Sequence, residues 1–414
     1  MAYRYLADDE KDVGKFGFSL WKLICVVCIV CGTLFPAAYT YALSKGIIVQ
    51  PTDEPQPGPV KPDPVIVDPD KPVVEPTKNY QNDFYYQFLT KEEKEVYKDI
   101  MKAFSEYQTT VSLTNPIPVD EMRAAVNAFR NDNPLYYWIS GDNGYTHISD
   151  LLGNVSTISF GYKGNEKSTI ELLESKANRI IASMPEGSEY DKAKYLHDYL
   201  IKNTEYDDNA TDNQNILSVF MNGRTVCAGY TRAYQYLCNK AGLFCTYVSG
   251  YATNSLGGRE NHAWNLIRID NRYYWVDVTW DDPIGNTQNR MIYDYLCLDD
   301  ADIGLDHIID MTDDFVGLNI TIPACSDKSL EYYNLRNAYY DTYNVDDIDR
   351  YLKKYGNEGL MEIRFSSLEE MNKASDDLIT NGKVRTLLKN NGIDVGTYTY
   401  VIKEKFHIIV IYYQ

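Results

Sequence analysis

The sequence predicts an α+β protein. Two patterns predict it. Apolar residues recur at helical spacing through Lys91–Tyr107 and Thr169–Met184. Alternating segments, His262–Ile269 and Tyr273–Thr279, flank the turn pair Asp270-Asn271. Composition agrees: the chain has 414 residues, 44% hydrophobic and 24% charged, which excludes a wholly disordered or fibrous protein. Its 59 acidic residues against 40 basic give a net charge of −19. No basic patch is visible, so a nucleic-acid partner held through its phosphates is excluded.

The elements follow in order. Leu23 to Leu43 carries no charge, and roughly 20 apolar residues cross a bilayer core. Arg4, Lys11, Lys15 and Lys22 precede the run and only Lys45 follows closely. The positive-inside bias therefore predicts a cytoplasmic N-terminus over 1–22, a transmembrane anchor over 23–43 and the rest of the chain outside the cell. A cleaved signal peptide is the alternative, with Ala37, Ala38 and Ala42 as small residues near its end. Residues 44–78 read as a Pro-rich acidic linker. Repeated Pro removes backbone donors and favours an extended stalk.

Residues 79–185 read as a mainly helical region. Val96, Ile100, Ala103 and Phe104 lie at helical spacing, and a second helix over Val119–Phe129 stops before Asp132-Asn133-Pro134. Val155–Tyr162 alternates as a strand. In residues 186–314, Ser188-x-x-Asp191 reads as a capping box before a helix to about Asn203. Cys227–Ala241 reads as a helix with Gly242 as its C-cap, and Phe244–Ala252 as a strand. Residues 315–414 read as a mixed module. Its helices are Val345–Tyr355, Leu368–Leu378 and Lys383–Lys389, and its strands Met361–Phe365, Thr397–Ile402 and Phe406–Tyr413.

The chemistry starts from the thiols. Five cysteines lie beyond the apolar run: Cys227, Cys238, Cys245, Cys297 and Cys325. An odd number in an exported domain leaves at least one thiol free. Cys238, Cys245 and Cys297 fall in apolar patterns, where inert burial is the expectation. Cys227 stands at a helix start, where exposed N–H groups and the helix dipole favour a thiolate, and its own N–H could serve as one oxyanion donor. If Asp270-Asn271 is a two-residue turn, Ile269 faces Arg272 and His262 faces Thr279. Asp277 then becomes the diagonal neighbour of His262 on the same sheet face. A thiol nucleophile needs such a pair: the imidazole takes the thiol proton and the carboxylate orients the ring. Of the other histidines, His147 falls in a loop, His197 on a helix face and His407 in a terminal strand. His307 is the competitor for the role of His262.

These residues carry a resemblance. Val226-Cys227-Ala228-Gly229-Tyr230-Thr231, Gly250-Tyr251-Ala252, Asn261-His262-Ala263-Trp264-Asn265 and Tyr274-Trp275-Val276-Asp277-Val278-Thr279-Trp280-Asp281-Asp282-Pro283 together resemble the core of the transglutaminase-like superfamily. His197-Asp198-Tyr199-Leu200 and Asn203-Thr204-x-Tyr206-Asp207 are similar to the helix that enters that core. The resemblance covers about Tyr190–Pro283. It implies a papain-like α+β fold, with Cys227 as nucleophile, His262 as general base and acid, and Asp277 as orienting carboxylate. Asn213, Gln214 and Tyr230 are unranked candidates for the second oxyanion donor. Calcium-binding loops are not evident, and neither a cofactor nor a metal set is implied. The flanking modules resemble pieces of bacterial surface proteins that house this core.

The expected function is that of an exported, membrane-tethered cysteine enzyme. It would cleave or transfer amide bonds of peptide or protein substrates, cell-envelope proteins among them, through a thioester. The alternative class is an inactive binding or scaffold domain at the cell surface. A metal hydrolase built on His262, Asp277, Asp281 and Asp282 would have one imidazole among clustered acids, an incomplete ligand set.

Overall fold

The computed structural model describes residues 83–139, 144–161, 164–253, 257–282, 291–310 and 320–413. The expected anchor over 23–43 and linker over 44–78 lie outside the described residues. Among the described residues, no helix is long and apolar enough to cross a membrane.

Helix α1 (Lys91–Ser105) begins at a reciprocal cap. Thr90 Oγ1 accepts from Glu93 N at 3.2 Å, and Glu93 Oε2 accepts from Thr90 N at 2.7 Å. Strand β1 (Thr110–Pro118), helix α2 (Val119–Asp132), β2 (Tyr145–Ser149) and β3 (Asn154–Phe160) follow. The three strands form an antiparallel sheet in the order β1-β3-β2. The region expected to be mainly helical thus also carries a sheet, and His147, expected in a loop, lies on β2. Only Val111 and Ile117 of β1 are buried, so the strand lacks the alternation that marks a half-buried strand in sequence.

Helices α3 (Glu166–Ala182) and α4 (Glu189–Asn203) come next, the second opened by the expected Ser188–Asp191 capping box. A two-residue parallel ladder joins β4 (Glu205–Tyr206) to β5 (Arg224–Thr225), directly before α5 (Cys227–Lys240). The central sheet is built from β6 (Phe244–Thr253), β7 (Arg259–Ile269), β8 (Arg272–Val276) and β9 (Leu296–Leu298). After the short α6 (Asp300–Ile303), β10 (His307–Ile309) returns to its far edge. The order is β10-β6-β7-β8-β9, antiparallel throughout.

The remainder comprises α7 (Tyr332–Leu335), β11 (Tyr339–Tyr340), α8 (Val345–Tyr355), β12 (Leu360–Phe365), α9 (Leu368–Ser375), α10 (Lys383–Asn390), β13 (Tyr398–Lys403) and β14 (Ile408–Tyr413). Its sheet runs β11-β12-β14-β13. His407 falls in the turn before β14, at φ 55°, rather than in the strand.

The central sheet is buried on both faces. Ile267, Ile269, Tyr274 and Val276 pack with α5 and the N-terminal elements. Trp264, Leu266 and Trp275 pack with the C-terminal module. Arg364 on β12 ties that module to the core: its Nη2 donates to Asp302 at 2.7 Å and its Nη1 to Glu331. An isolated buried guanidinium would be costly, and two carboxylates offset it.

Candidate active site

Cys227 is the first residue of α5, whose N-cap, Val226, offers no side-chain acceptor. The first N–H groups of a helix have no intrahelical partner and so point at whatever approaches. Gly229 lets the preceding chain close against this turn. A Cβ there would sit 1.9 Å from Thr225 Oγ1 and 3.1 Å from Asn213 O. Two hydrogen bonds staple α5 to β7: Thr231 Oγ1 donates to Ala263 O at 2.9 Å, and Asn265 Nδ2 to Thr231 O at 3.0 Å. The staples hold the start of the helix alongside His262.

The hairpin register is the one the turn arithmetic predicts. Ile269 pairs with Arg272 and Asn265 with Val276. Asp270 and Asn271 both take left-handed backbone, φ 49° and 63°, as a twisted two-residue hairpin turn requires. The ladder ends at Val276, and Asp277 turns towards His262: Nε2 and Oδ2 are 2.6 Å apart. Asp277 is anchored at its other atoms. Its N–H donates to Tyr295 O at 3.0 Å, and its Oδ1 accepts from Thr279 N at 2.9 Å and Trp280 N at 3.3 Å.

Nε2 is committed to the carboxylate, which leaves Nδ1 of the His262 ring for a second partner, and Cys227 lines the same cleft as His262. Burial works against a charged ring, but Asp277 and Cys227 outweigh it and raise the His262 pKa to about 10. Burial alone would raise the Asp277 carboxyl. His262 and His307 instead hold it well below the usual carboxylate range. Cys227 is partly exposed, whereas Cys238, Cys245, Cys297 and Cys325 are buried. Desolvation keeps the Cys245 and Cys297 thiols protonated.

Cys227 and His262 open on a cleft of about 560 Å³. Tyr206, Tyr247 and Tyr251 give it aromatic walls, and Asn213 and Gln214 also line it, the Asn213 amide donating to Asp208 O at 2.9 Å and the Gln214 amide to Asn213 Oδ1 at 3.1 Å. Tyr230 is elsewhere: it is fully buried, and its hydroxyl donates to Asp282 at 2.6 Å.

Two features escaped the sequence reading. His307 is not a rival of His262 for the thiol but stands behind the same carboxylate, its Nε2 3.1 Å from Asp277 Oδ2. His197 forms a second buried pair, its Nε2 3.1 Å from Asp281 Oδ2. Neither histidine lies on the hairpin that brings His262 to Asp277, so no local spacing marks these contacts in the sequence. His262, Asp277 and His307 offer three ligand atoms within 4.8 Å of one another. Hydrogen-bond contacts of 2.6 Å and 3.1 Å fill the space between them.

Residues 176–279, which supply most of the cleft lining, match the family model of the Transglutaminase-like superfamily. That stretch contains Cys227, His262 and Asp277. The chain is 23% identical over 129 residues to the kyphoscoliosis peptidase of Mus musculus, a match covering 28% of this chain and 20% of that protein. It is 32% identical over 71 residues to the kyphoscoliosis peptidase of Homo sapiens, covering 16% and 11%. The matched stretches thus span a fifth or less of the curated relatives. Among solved structures, a TGase is similar at 20% identity and TM-score 0.22, over 34% of this chain and 44% of that one. A proposed cysteine protease from Cytophaga hutchinsonii is similar at 14% identity and TM-score 0.23, over 33% and 62%.

Proposed function

We propose that the protein is a cysteine enzyme that acts on amide carbonyls of peptides or proteins through Cys227, His262 and Asp277. The observation that carries the reading is the arrangement at the cleft: a partly exposed thiol at a helix start, an imidazole lining the same cleft, and a buried carboxylate 2.6 Å behind the imidazole. The Cys227 thiolate attacks the carbonyl carbon, and the helix-start N–H groups receive the developing oxyanion. The C–N bond breaks, His262 gives its proton to the departing amine, and a thioester remains on Cys227. Water or a second amine then attacks the thioester, passes a proton to His262 and releases the acyl group. Water gives a peptidase or deamidase and an amine gives a transamidase.

The uncharged run from Leu23 to Leu43 and the Pro-rich stretch after it support a tethered, exported location facing cell-envelope proteins. The test uses the full chain. Iodoacetamide should label Cys227 faster than Cys238 or Cys245, and Cys227→Ala should abolish both ammonia release from glutamine peptides and incorporation of a fluorescent amine into casein. Equal labelling of the three thiols would overturn the reading. The ratio of the two products assigns the acceptor.

A further inference from the structure

Resting on that thiol-enzyme reading, we infer that His307 is a positioning residue for the Cys227–His262 pair, and that the C-terminal module completes the site from behind through Lys405. The argument begins with the Asp277 carboxylate. Its Oδ2 takes His262 Nε2 at 2.6 Å and His307 Nε2 at 3.1 Å. The other nitrogen of His307 meets a second carboxylate, with Nδ1 2.5 Å from Asp306 Oδ1. A neutral imidazole has one donor and one acceptor, and an ionised carboxylate only accepts. Both contacts are hydrogen bonds only if His307 carries a proton on each nitrogen. The ring is therefore an imidazolium between two buried carboxylates.

The second carboxylate leads to the C-terminal module. Asp306 Oδ2 accepts from Tyr295 Oη at 2.6 Å and from Lys405 Nζ at 3.0 Å. Lys405 lies in the turn between β13 and β14. From the end of β13, Lys403 pairs with Asp294, beside Tyr295. Phe406 packs edge-on against the Tyr295 ring at 5.2 Å.

Every element around His307 has a stated charge or ring. His262 comes from β7, Asp277 and Trp280 from the loop after β8, Tyr295 precedes β9, and Asp306 is adjacent to His307. Trp264 and Trp280 lie 4.8 Å and 4.6 Å from the His307 ring. Buried Asp277 and Asp306 are thus offset by the cations of His307 and Lys405. Burial opposes the His307 charge, and the two aspartates sustain it, as its raised pKa reflects. The His307 ring lies 5.3 Å from that of His262, so loss of its charge takes a cation away from the thiol–imidazole pair, and a nearby cation favours the thiolate.

The test is the rate of Cys227 alkylation by iodoacetamide against pH, resolved by peptide mass spectrometry in the full chain. His307→Gln keeps a donor towards Asp277 and removes the charge. Its profile should move to higher pH by about half a unit, or about threefold slower labelling on the rising limb. Lys405→Met, on a side chain 38% exposed, should move it the same way by less. That variant carries the test if His307→Gln does not fold. A merely structural role would lower thermal stability and leave the profile in place. Variant curves superimposed on a normal wild-type curve overturn this inference alone. Wild-type labelling of Cys227 no faster than that of Cys238 overturns the enzyme reading, and this one with it.

Discussion

His197 Nε2 lies 3.1 Å from Asp281 Oδ2, and neither side chain reaches solvent. The pair joins α4 to the loop that carries Asp277, because Asp281 N donates to Asp277 O at 3.3 Å and Asp281 Oδ1 accepts from Tyr295 N at 3.0 Å. His197 Nδ1 meets Asp198 Oδ1 at 3.2 Å, so the ring sits between two carboxyl groups; burial pushes that of Asp281 up to about 7, while His197 and Lys194 hold that of Asp198 below the usual carboxylate range. Removal of one partner strands a buried charge. Asp281→Ala should therefore cost about 3–5 kcal/mol in urea unfolding of the full chain. Glu369→Ala, at the exposed pair with Lys373, should leave the midpoint unchanged.

The same pair sets a pH dependence. Burial opposes the His197 charge, but Asp198 and Asp281 raise its pKa to about 9. A group that holds its proton more tightly when folded stabilises the fold fully below its unfolded pKa, about 6.5, and loses that contribution as pH rises through the folded value. The window for His197 runs from about pH 6.5 to pH 9, and Asp281, pushed up to about 7 by burial, gives up its own proton at the lower end of it. The urea midpoint of the wild type should fall across this window, and that of His197→Gln should fall less. Parallel slopes for the two proteins would refute the assignment.

The contrast between His262 and His307 shows what the chain makes legible. His262 and Asp277 flank one hairpin, and its turn pair fixes their register locally, so the sheet-face arithmetic finds them together. His307 reaches the same carboxylate on β10, which pairs with β6 across the sheet, His307 facing Ala252. No local pattern encodes that pairing, and the short β10 has too few residues for alternation to show. The α5 and α8 helices were legible because their apolar spacing and, for α5, the glycine that follows it are local. Strand β1 was not, because its partner β3 supplies much of its order while most of its own side chains stay exposed.

The alkaline limit of Cys227 reactivity follows from His262. Its pKa of about 10 keeps the ring charged beside the sulfur through neutral pH, and that charge is given up as pH rises through about 10. Asp277→Asn removes the group that sustains the charge while burial continues to oppose it. The imidazolium should then be lost at lower pH, and iodoacetamide labelling of Cys227 at pH 8 should slow by about tenfold or more. Labelling in Asp277→Asn equal to wild type would show that the carboxylate does not govern the pair.

Gly250 offers the sharpest separation of fold from site. It pairs with His262 on one side and with Ile309 of β10 on the other. A Cβ at Gly250 would lie 2.1 Å from Ile308 O and 2.7 Å from Asp310 N, both backbone atoms, so neither can swing aside. Gly250→Ala must push β10 outwards, and β10 carries His307. Overpacking of this kind costs about 1–3 kcal/mol. The displacement should also loosen His307 from Asp277 and shift the Cys227 alkylation profile towards higher pH. Gly242→Ala supplies the control. That glycine has φ +84° and open space around its would-be Cβ, so alanine there strains the end of α5 without touching β10. Both variants should unfold at lower urea concentration, and only Gly250→Ala should move the profile. If the two profiles move together, the strand that carries His307 has no separate hold on the thiol.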